Sequence, residues 1–110
     1  MKAMRSKYRA VRTVVDGITF ASKAEAARYG ELKLLEKAGK IIGLQLQPSF
    51  VLLAGDGKTK VGRYVADFGY IDVKRGAVWE DVKGVRTPVY RLKKKMVEAQ
   101  VGIKITEVSR

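Results

Sequence analysis

Two acids and one lysine near the middle of the chain have the types and spacing of a divalent-metal site. Asp67 lies in the run of residues 64–70, and Asp81 and Lys83 lie in the run 77–83. Both runs have the β-branched and aromatic composition of short strands. Side chains two apart in a strand share a face, so Asp81 and Lys83 are expected to point the same way.

The link between the two runs would bring the acids together. Residues 72–76 are rich in turn formers, which predicts a hairpin in which Asp67 comes beside Asp81. Two close carboxylates next to an ammonium group are costly to assemble unless they share a cation. The simpler alternative is that Asp81 and Lys83 form an ordinary exposed ion pair, which contributes little to stability.

The composition limits the chemistry open to this chain. Its 110 residues predict one domain, 1–110, with a basic N-terminal extension over residues 1–20. The absence of cysteine and histidine excludes disulfides, thiolate nucleophiles and zinc sites built on those residues. Any catalysis must therefore rest on carboxylates, lysine and a hard, oxygen-loving metal.

The charge predicts a polyanionic partner. Lys and Arg number 23 against 11 Asp and Glu, a net charge of +12, and nucleic acid is the first choice of partner. A membrane partner is not expected, because no long apolar run or basic amphipathic anchor is present. The basic N-terminus lacks an apolar signal core, so we expect a soluble protein of the cytoplasm.

A first helix is predicted from Ser22 to Ala38, with Gly39 ending it. Its inner face is predicted to contain Ala24, Ala27, Leu34, Leu35 and Ala38. Glu25 lies at the edge of that face. The sequence from Ser22 to Glu25 also has the pattern of a capping box, in which the Glu25 side chain bonds back to the Ser22 amide.

The strands before the acids are predicted from alternation and turn residues. Residues 14–20 are predicted to form a small hairpin around an Asp-Gly turn. Residues 44–53 alternate as one strand, in which Pro48 indicates an edge or a bend. Within the strand that carries Asp81, Glu80 is expected to face away from it, at the surface or behind the ligands, and Trp79 is expected in the core.

A second helix is predicted from Thr87 to Gly102, because Thr is a good N-cap, Pro88 suits the first turn and Gly is a favoured C-terminal residue. Its buried stripe is predicted to contain Val89, Leu92, Met96 and Ala99. Residues 103–108 suggest a final strand. The predicted order after the extension is helix, three strands, helix, strand.

This order, with an acid on the middle strand and Asp-Val-Lys on the next, resembles the PD-(D/E)XK nuclease superfamily, and within it small phage-encoded members. The matching stretches are Phe-Ala-Ser-Lys-Ala-Glu-Ala at 20–26, Gln-Pro-Ser-Phe at 47–50, Ala-Asp-Phe at 66–68, and Glu-Asp-Val-Lys-Gly at 80–84 followed by Thr87. Ala66 stands where the motif has proline. The resemblance implies an α/β fold with a restriction-endonuclease-like core (αβββαβ), a central mixed sheet flanked by helices.

The resemblance also implies roles for the residues of the site. Asp67 and Asp81 would hold Mg²⁺ or Mn²⁺, together with the backbone carbonyl of Val82. Glu25 would be a third acid that binds the metal directly or through water, unless it is only a helix cap. Lys83 would orient or activate the attacking water and offset charge in the transition state.

The implied activity is hydrolysis of DNA phosphodiesters by a Mg²⁺-dependent endonuclease. Selectivity for branched DNA such as Holliday junctions, a role in phage recombination or DNA processing in the host cytoplasm, and a homodimer are all consistent with the resemblance. One competitor is a catalytically silent nucleic-acid-binding module on the same fold. Another is a basic RNA-binding structural protein, which would share the charge but not the acid–lysine cluster.

Basic residues outside the cluster are candidates for contacts with the DNA backbone. Those before the first helix are Arg5, Lys7 and Arg9, and those after Lys83 are Arg86, Arg91, Lys93, Lys94 and Lys95. A run of lysines on a helix is usually only a solvated face. Beside a phosphate-cleaving site, contact with DNA is the preferred interpretation.

Overall fold

The computed structural model describes residues 11–109, which form eight strands and two helices. In chain order these are β1 (Thr13–Val15), β2 (Ile18–Phe20), α1 (Lys23–Lys37), β3 (Ile41–Leu46), β4 (Ser49–Leu53), β5 (Lys60–Val65), β6 (Phe68–Asp72), β7 (Gly76–Val82), α2 (Pro88–Val101) and β8 (Ile105–Val108). The fold is a mixed α/β fold with a central mixed sheet and two helices.

The central sheet has the strand order β3-β6-β7-β8. Strand β6 pairs antiparallel with both β3 and β7, whereas β8 runs parallel to β7 after the crossover through α2. Phe68 and Tyr70 belong to a core cluster with α1, while Trp79 and Ile105 belong to one with Val97 of α2. Because alternate residues of a strand face opposite sides, the two helices cover opposite faces of the sheet.

The predicted hairpin around residues 72–76 is confirmed. Strands β6 and β7 pair antiparallel with Phe68 opposite Glu80 and Asp72 opposite Gly76. The Asp72 carboxylate accepts hydrogen bonds from the next backbone N–H groups in the turn, those of Lys74 (2.8 Å) and Arg75 (3.0 Å). This register determines which residues meet at the other end of the hairpin.

The prediction of three strands before the second helix is wrong, because two of the predicted runs are each divided. Residues 44–53 lie in β3 and β4, which belong to different sheets, and residues 64–70 lie in β5 and β6. The breaks face each other. Gln47 N–H donates to Asp67 O and Ala66 N–H donates to Pro48 O, both at 3.0 Å.

The two breaks therefore make one bend in a continuous antiparallel ribbon. On one side β3 pairs with β6 in the central sheet, and on the other β4 pairs with β5 in a separate two-stranded sheet. Gln47 adopts a positive φ of 53° at the bend, next to Pro48, whose ring removes a backbone donor. Pairing on both sides of the bend holds Asp67 at the corner between the two sheets.

The bounds of α1 agree with prediction, but its predicted buried face is wrong. The helix is capped by Ser22 and is followed by Gly39 with a φ of 75°. The buried residues of α1 are Glu25, Ala26, Tyr29 and Leu32. Of the residues predicted to be buried, Ala27, Leu34, Leu35 and Ala38 are exposed and Ala24 is half-buried. Tyr29 packs against Phe20 with ring centroids 5.0 Å apart, so the aromatic contact orients the helix.

The second helix shows the same pattern. Thr87 accepts from Tyr90 N–H at 3.1 Å as the N-cap, and Gly102 is the left-handed C-cap, both as predicted. The predicted stripe is largely wrong. Val89 and Leu92 are 63% and 59% exposed and Ala99 is also exposed, while Met96 packs partly against the core. Val97 is the buried residue of α2, and Tyr90 packs beside it on the same face.

The predicted N-terminal extension includes structured residues. The predicted hairpin around Asp16 is confirmed as β1 and β2, and Phe20 at its end is buried in the core with α1. Among residues 11–109, neither helix has the length and apolar character needed to span a bilayer.

The orientation of α1 predicts different effects for two leucines of the same helix. Leu32 is fully buried and Leu34 is 68% exposed. Leu32→Ala should lower the free energy of unfolding by about 2–5 kcal/mol, because it leaves a cavity in the core. Leu34→Ala should change it by less than about 0.5 kcal/mol. Chemical denaturation of the two variants checks this, and equal losses would contradict the orientation of the helix.

Candidate active site

Asp67 and Asp81 are joined across β6 and β7 by backbone hydrogen bonds. Asp67 N–H donates to the Glu80 carbonyl at 3.0 Å and lies 3.1 Å from Asp81 Oδ1. In return, Val82 N–H donates to Asp67 Oδ2 at 2.7 Å. The predicted proximity of the two acids is therefore confirmed, although Asp67 follows a strand break instead of lying within a strand.

Glu25 approaches this pair from the first turn of α1. Its backbone N–H donates to the Ser22 hydroxyl at 3.1 Å, which is half of the predicted capping box. Its carboxylate accepts from the backbone N–H of Ala21 and shares a side-chain hydrogen bond with Asp67. Glu25 thus both supports the helix start and contacts one of the predicted metal ligands.

Burial disfavours the ionised form of the three acids and raises their pKa values. Loss of solvent, reinforced by the charge of Asp67 and the hydrogen bond to it, raises the pKa of Glu25 to about 7. Burial also raises the pKa of Asp67, and it raises that of Asp81 to about 6. Two carboxyl groups that share a hydrogen bond need a proton between them, so the pair of Glu25 and Asp67 holds a proton where a cation could bind.

Lys83 directly follows β7 and supplies the positive charge of the cluster. Its charge lowers the pKa values of Glu25, Asp67 and Asp81, in opposition to the effect of burial. The Lys83 ammonium lies 4.3 Å from the centre of the Tyr90 ring, within the range of a cation–π contact. All four predicted site residues therefore interact in one place.

Two tyrosines at the site were not predicted from the sequence. The Tyr64 hydroxyl donates to Asp81 Oδ2, and the Tyr90 hydroxyl donates to Glu107 Oε2 at 2.8 Å. Burial and the bond to Glu107 raise the pKa of Tyr90. Asp81 itself is completely buried. Tyr64 is separated from Asp81 by 17 residues and lies across the ribbon bend, so no local spacing indicates the contact.

Glu80 was expected either at the surface or behind the metal ligands. It is 1% exposed and lies on the α1 side of the sheet, so the first alternative is wrong. It accepts two hydrogen bonds from Arg28 of α1 and one from the Tyr70 hydroxyl. Trp79, on the opposite face of the sheet, packs against the core around Val97, as expected. Arg28 was also missed, since its partner lies 52 residues away in the sequence.

The donor set has the right chemistry for Mg²⁺ or Mn²⁺, which prefer carboxylate oxygens. Glu25 and Asp67 are in contact, and the Val82 group bonded to Asp67 is its backbone N–H, not the carbonyl that was predicted as a ligand. Asp81 already accepts from a hydroxyl and from an amide. As arranged, residues 11–109 contain no group of three or more acidic side chains poised to hold a metal ion.

The predicted DNA-binding residues have different environments. Arg86 is bonded to Glu107 at 2.9 Å and to Ser109, and Lys94 is paired with Glu98 at 3.2 Å. Arg91 and Lys95 are exposed on α2, and Lys93 is half-buried. The three predicted contacts in the N-terminal arm, Arg5, Lys7 and Arg9, lie outside the described residues.

The fold and the site define a small mixed α/β domain with a buried acid cluster beside a lysine. The chain belongs to the family described as "Protein of unknown function (DUF1064)", whose profile matches residues 5–109. No curated protein and no solved structure matches the chain.

The raised pKa values predict how the stability of the metal-free protein depends on pH. The folded protein retains protons on Glu25 and Asp81 up to about pH 7 and about pH 6, whereas the unfolded chain loses them near 4.5 and 3.8. Between these limits the folded state binds more protons, so the free energy of unfolding should fall as pH rises, by about 1.4 kcal/mol per pH unit for each extra proton.

Urea denaturation from pH 4 to pH 8 in the presence of chelator measures this slope. Glu25→Gln removes one titrating group and should flatten the part of the slope that extends towards pH 7. The exposed acid Asp56, which lies in the turn after β4, provides the control, because Asp56→Asn should keep the slope. A stability that rises between pH 5 and pH 7 would contradict the buried, protonated carboxyls.

Proposed function

We propose that this protein is a divalent-metal-dependent DNA endonuclease of the PD-(D/E)XK superfamily. The observation that carries the proposal is the direct joining of Asp67 to Asp81 and Val82 across the hairpin. Lys83 acts electrostatically on both acids, and Glu25 reaches Asp67 from α1. These are the residues to which the resemblance assigns the chemistry.

The topology supports the restriction-endonuclease-like part of the proposal. If each arm of the bent ribbon is counted as one strand, β3 with β4 and β5 with β6, then β7 is the third strand between the helices. The order then becomes αβββαβ. Asp67, at the corner of the ribbon, would correspond to the acid of the middle strand. After α2 the chain forms β8, which runs parallel to β7.

The residues would divide the chemistry among them. Asp67, Asp81 and the Val82 carbonyl would hold Mg²⁺ or Mn²⁺, with Glu25 as a third acid. The bound ion would lower the pKa of water and stabilise phosphate charge, so the lack of histidine is no obstacle. Lys83 would orient the attacking water and offset negative charge on the phosphate in the transition state.

The substrate part of the proposal rests on charge. A net charge of +12 favours a nucleic acid partner. The exposed Arg91 and Lys95 give α2, the helix that begins just after Lys83, a basic outer surface. Contacts of this kind with phosphates follow the shape of the nucleic acid and not its sequence. Contacts that follow shape suit branched DNA as the substrate. The resemblance adds to the proposal a role in phage recombination or DNA processing in the host cytoplasm, and a homodimer.

One observation favours a second candidate, a nucleic-acid-binding module without catalysis on the same fold. Asp81 is fully buried, and its two oxygens accept from Tyr64 and from Asp67 N–H. An acid whose oxygens are engaged in this way can serve folding alone. In that case Glu25 and Asp67 would simply share a proton, and the protein would bind DNA without divalent metal.

Cleavage assays separate the two candidates. Four-way junction, flap, single-stranded and linear duplex DNA are each incubated with the protein in Mg²⁺, Mn²⁺ or chelator. We expect metal-dependent cleavage of at least one substrate. Asp81→Asn should reduce the rate by at least about 100-fold, because a neutral amide is a much poorer ligand for Mg²⁺ or Mn²⁺ than a carboxylate, while DNA binding persists.

Asp16→Asn is the matched control. Asp16 lies in the β1–β2 turn with a φ of 54°, a conformation that asparagine tolerates, and its amide oxygen can still accept from Tyr29. This variant should cleave at the wild-type rate. DNA binding without cleavage in any metal would establish the silent module, and full activity of Asp81→Asn would remove that residue from the site.

The basic surface of α2 predicts a strong dependence of DNA binding on salt. Basic side chains that neutralise phosphates release counterions from the DNA. Each lost contact should therefore reduce the slope of log affinity against log salt by about 1. The double variant Arg91→Ala/Lys95→Ala should therefore weaken binding to all DNA sequences about equally.

A double variant with the same loss of charge controls for net charge alone. Lys37 is the last residue of α1 and Lys40 follows the helix just before β3, and α1 covers the opposite face of the sheet. Replacing both by Ala should leave the salt slope near that of the wild type. Fluorescence anisotropy at several salt concentrations measures it. Equal losses in the two double variants would contradict specific contacts from α2.

A further inference from the structure

A second cluster of charged groups lies directly behind the acids, on the α1 side of the sheet. The buried Glu80 carboxylate accepts from Arg28 Nε at 2.8 Å and from Arg28 Nη2 at 2.6 Å, in a two-pronged ion pair. Its second oxygen also accepts from the Tyr70 hydroxyl. Arg28 Nη1 donates to Glu31 at 3.0 Å, which fixes the guanidinium plane from its other side.

Glu80 is connected to the elements that carry all three candidate acids. Its side chain holds Arg28, which lies one helical turn after Glu25, and residues three apart in a helix lie close together on its surface. Its backbone carbonyl accepts from Asp67 N–H at 3.0 Å. Asp81 is the next residue along β7, on the opposite face of the sheet.

Stability alone gives little reason for this ion pair. Replacing a buried ion pair by apolar groups of similar size is often neutral or stabilising, because the charges lose their hydration. The other contacts of this helix face are the packing of Tyr29 and Leu32 against the core, which decides the face of α1 that is buried, and the hydrogen bond from the Tyr29 hydroxyl to Asp16. A two-pronged arginine–carboxylate pair adds a contact to β7 that fixes both distance and angle.

We propose that the Arg28–Glu80 ion pair positions α1 so that Glu25 lies against Asp67 and completes the acid cluster. Arg28 and Glu80 are then positioning residues, which act on the site through Glu25 and β7. The effect on metal binding rests on the proposed function, whereas the effect on the position of α1 does not.

The test removes the whole polar cluster at once. In the triple variant Arg28→Met/Glu80→Met/Tyr70→Phe no buried charge or hydroxyl is left without a partner, so we expect its melting temperature to stay close to that of the wild type. Its affinity for Mn²⁺, measured by calorimetry without DNA, should fall by about 10-fold or more, as expected when a group that orients a metal ligand is lost.

A conservative variant and a control accompany it. Arg28→Lys keeps the charge but not the planar fork, so it should fold and also lose Mn²⁺ affinity. Lys33→Met breaks the exposed pair of Lys33 with Glu36 on the same helix and should bind Mn²⁺ like the wild type. Wild-type affinity in the triple variant would overturn the proposal, and if that variant fails to fold, wild-type affinity in Arg28→Lys would do so.

Nuclear Overhauser contacts between Glu25 and Asp67 in the metal-free proteins separate this proposal from the proposed function. They should be clear in the wild type and in Lys33→Met, and weakened in the triple variant and in Arg28→Lys. If the wild type binds no Mn²⁺ and cleaves no DNA, the proposed function is wrong. In that case the contacts between Glu25 and Asp67 alone decide whether the ion pair positions α1. Unchanged contacts in both cluster variants would then refute positioning by the ion pair.

Discussion

The site depends on the pairing of β6 with β7 where the ribbon bends. Asp67 N–H donates towards Asp81 and Val82 N–H donates to Asp67, so each acid accepts a backbone donor from the opposite strand. A slip of one residue would turn Asp67 to the other face of the sheet. The β6–β7 turn, closed by Asp72, prevents that slip, and the bend at Gln47 and Ala66 leaves Asp67 at the corner, where α1 can reach it.

The electrostatics of the cluster are unfavourable for folding alone. Glu25 and Asp81 are buried and Asp67 is half-buried beside one ammonium group, Lys83, and burial raises the pKa of each acid. Elsewhere in the described residues, ion pairs join groups of opposite sign in simple pairs or small networks. A sequence that retains a strained arrangement at one place in an otherwise consistent fold indicates function at that place. A divalent cation would neutralise it.

Local signals in the sequence predicted most of the framework. Ser22 and Thr87 as helix caps, the two tight hairpin turns and the meeting of Asp67 with Asp81 all depend on residues close in sequence or on strand register. Helix orientation was not predictable in this way. Small and apolar residues occur around much of α1, and the choice of Leu32 over Leu34 is made by packing on Phe20 and Phe68.

The corner between the two sheets and the Arg28–Glu80 pair were not predictable for a related reason. Alternation continues through residues 44–53, so the sequence indicates one strand with an edge or a bend at Pro48, and only the pairing of Gln47 with Asp67 shows that the bend is a corner between two sheets. Anomalous diffraction from crystals soaked in Mn²⁺ decides whether this corner is the metal site that we propose. We expect a peak bound by oxygens of Asp67 and Asp81. The absence of a peak there after a soak at saturating Mn²⁺, with Asp81 still bonded to Tyr64, would contradict the proposal.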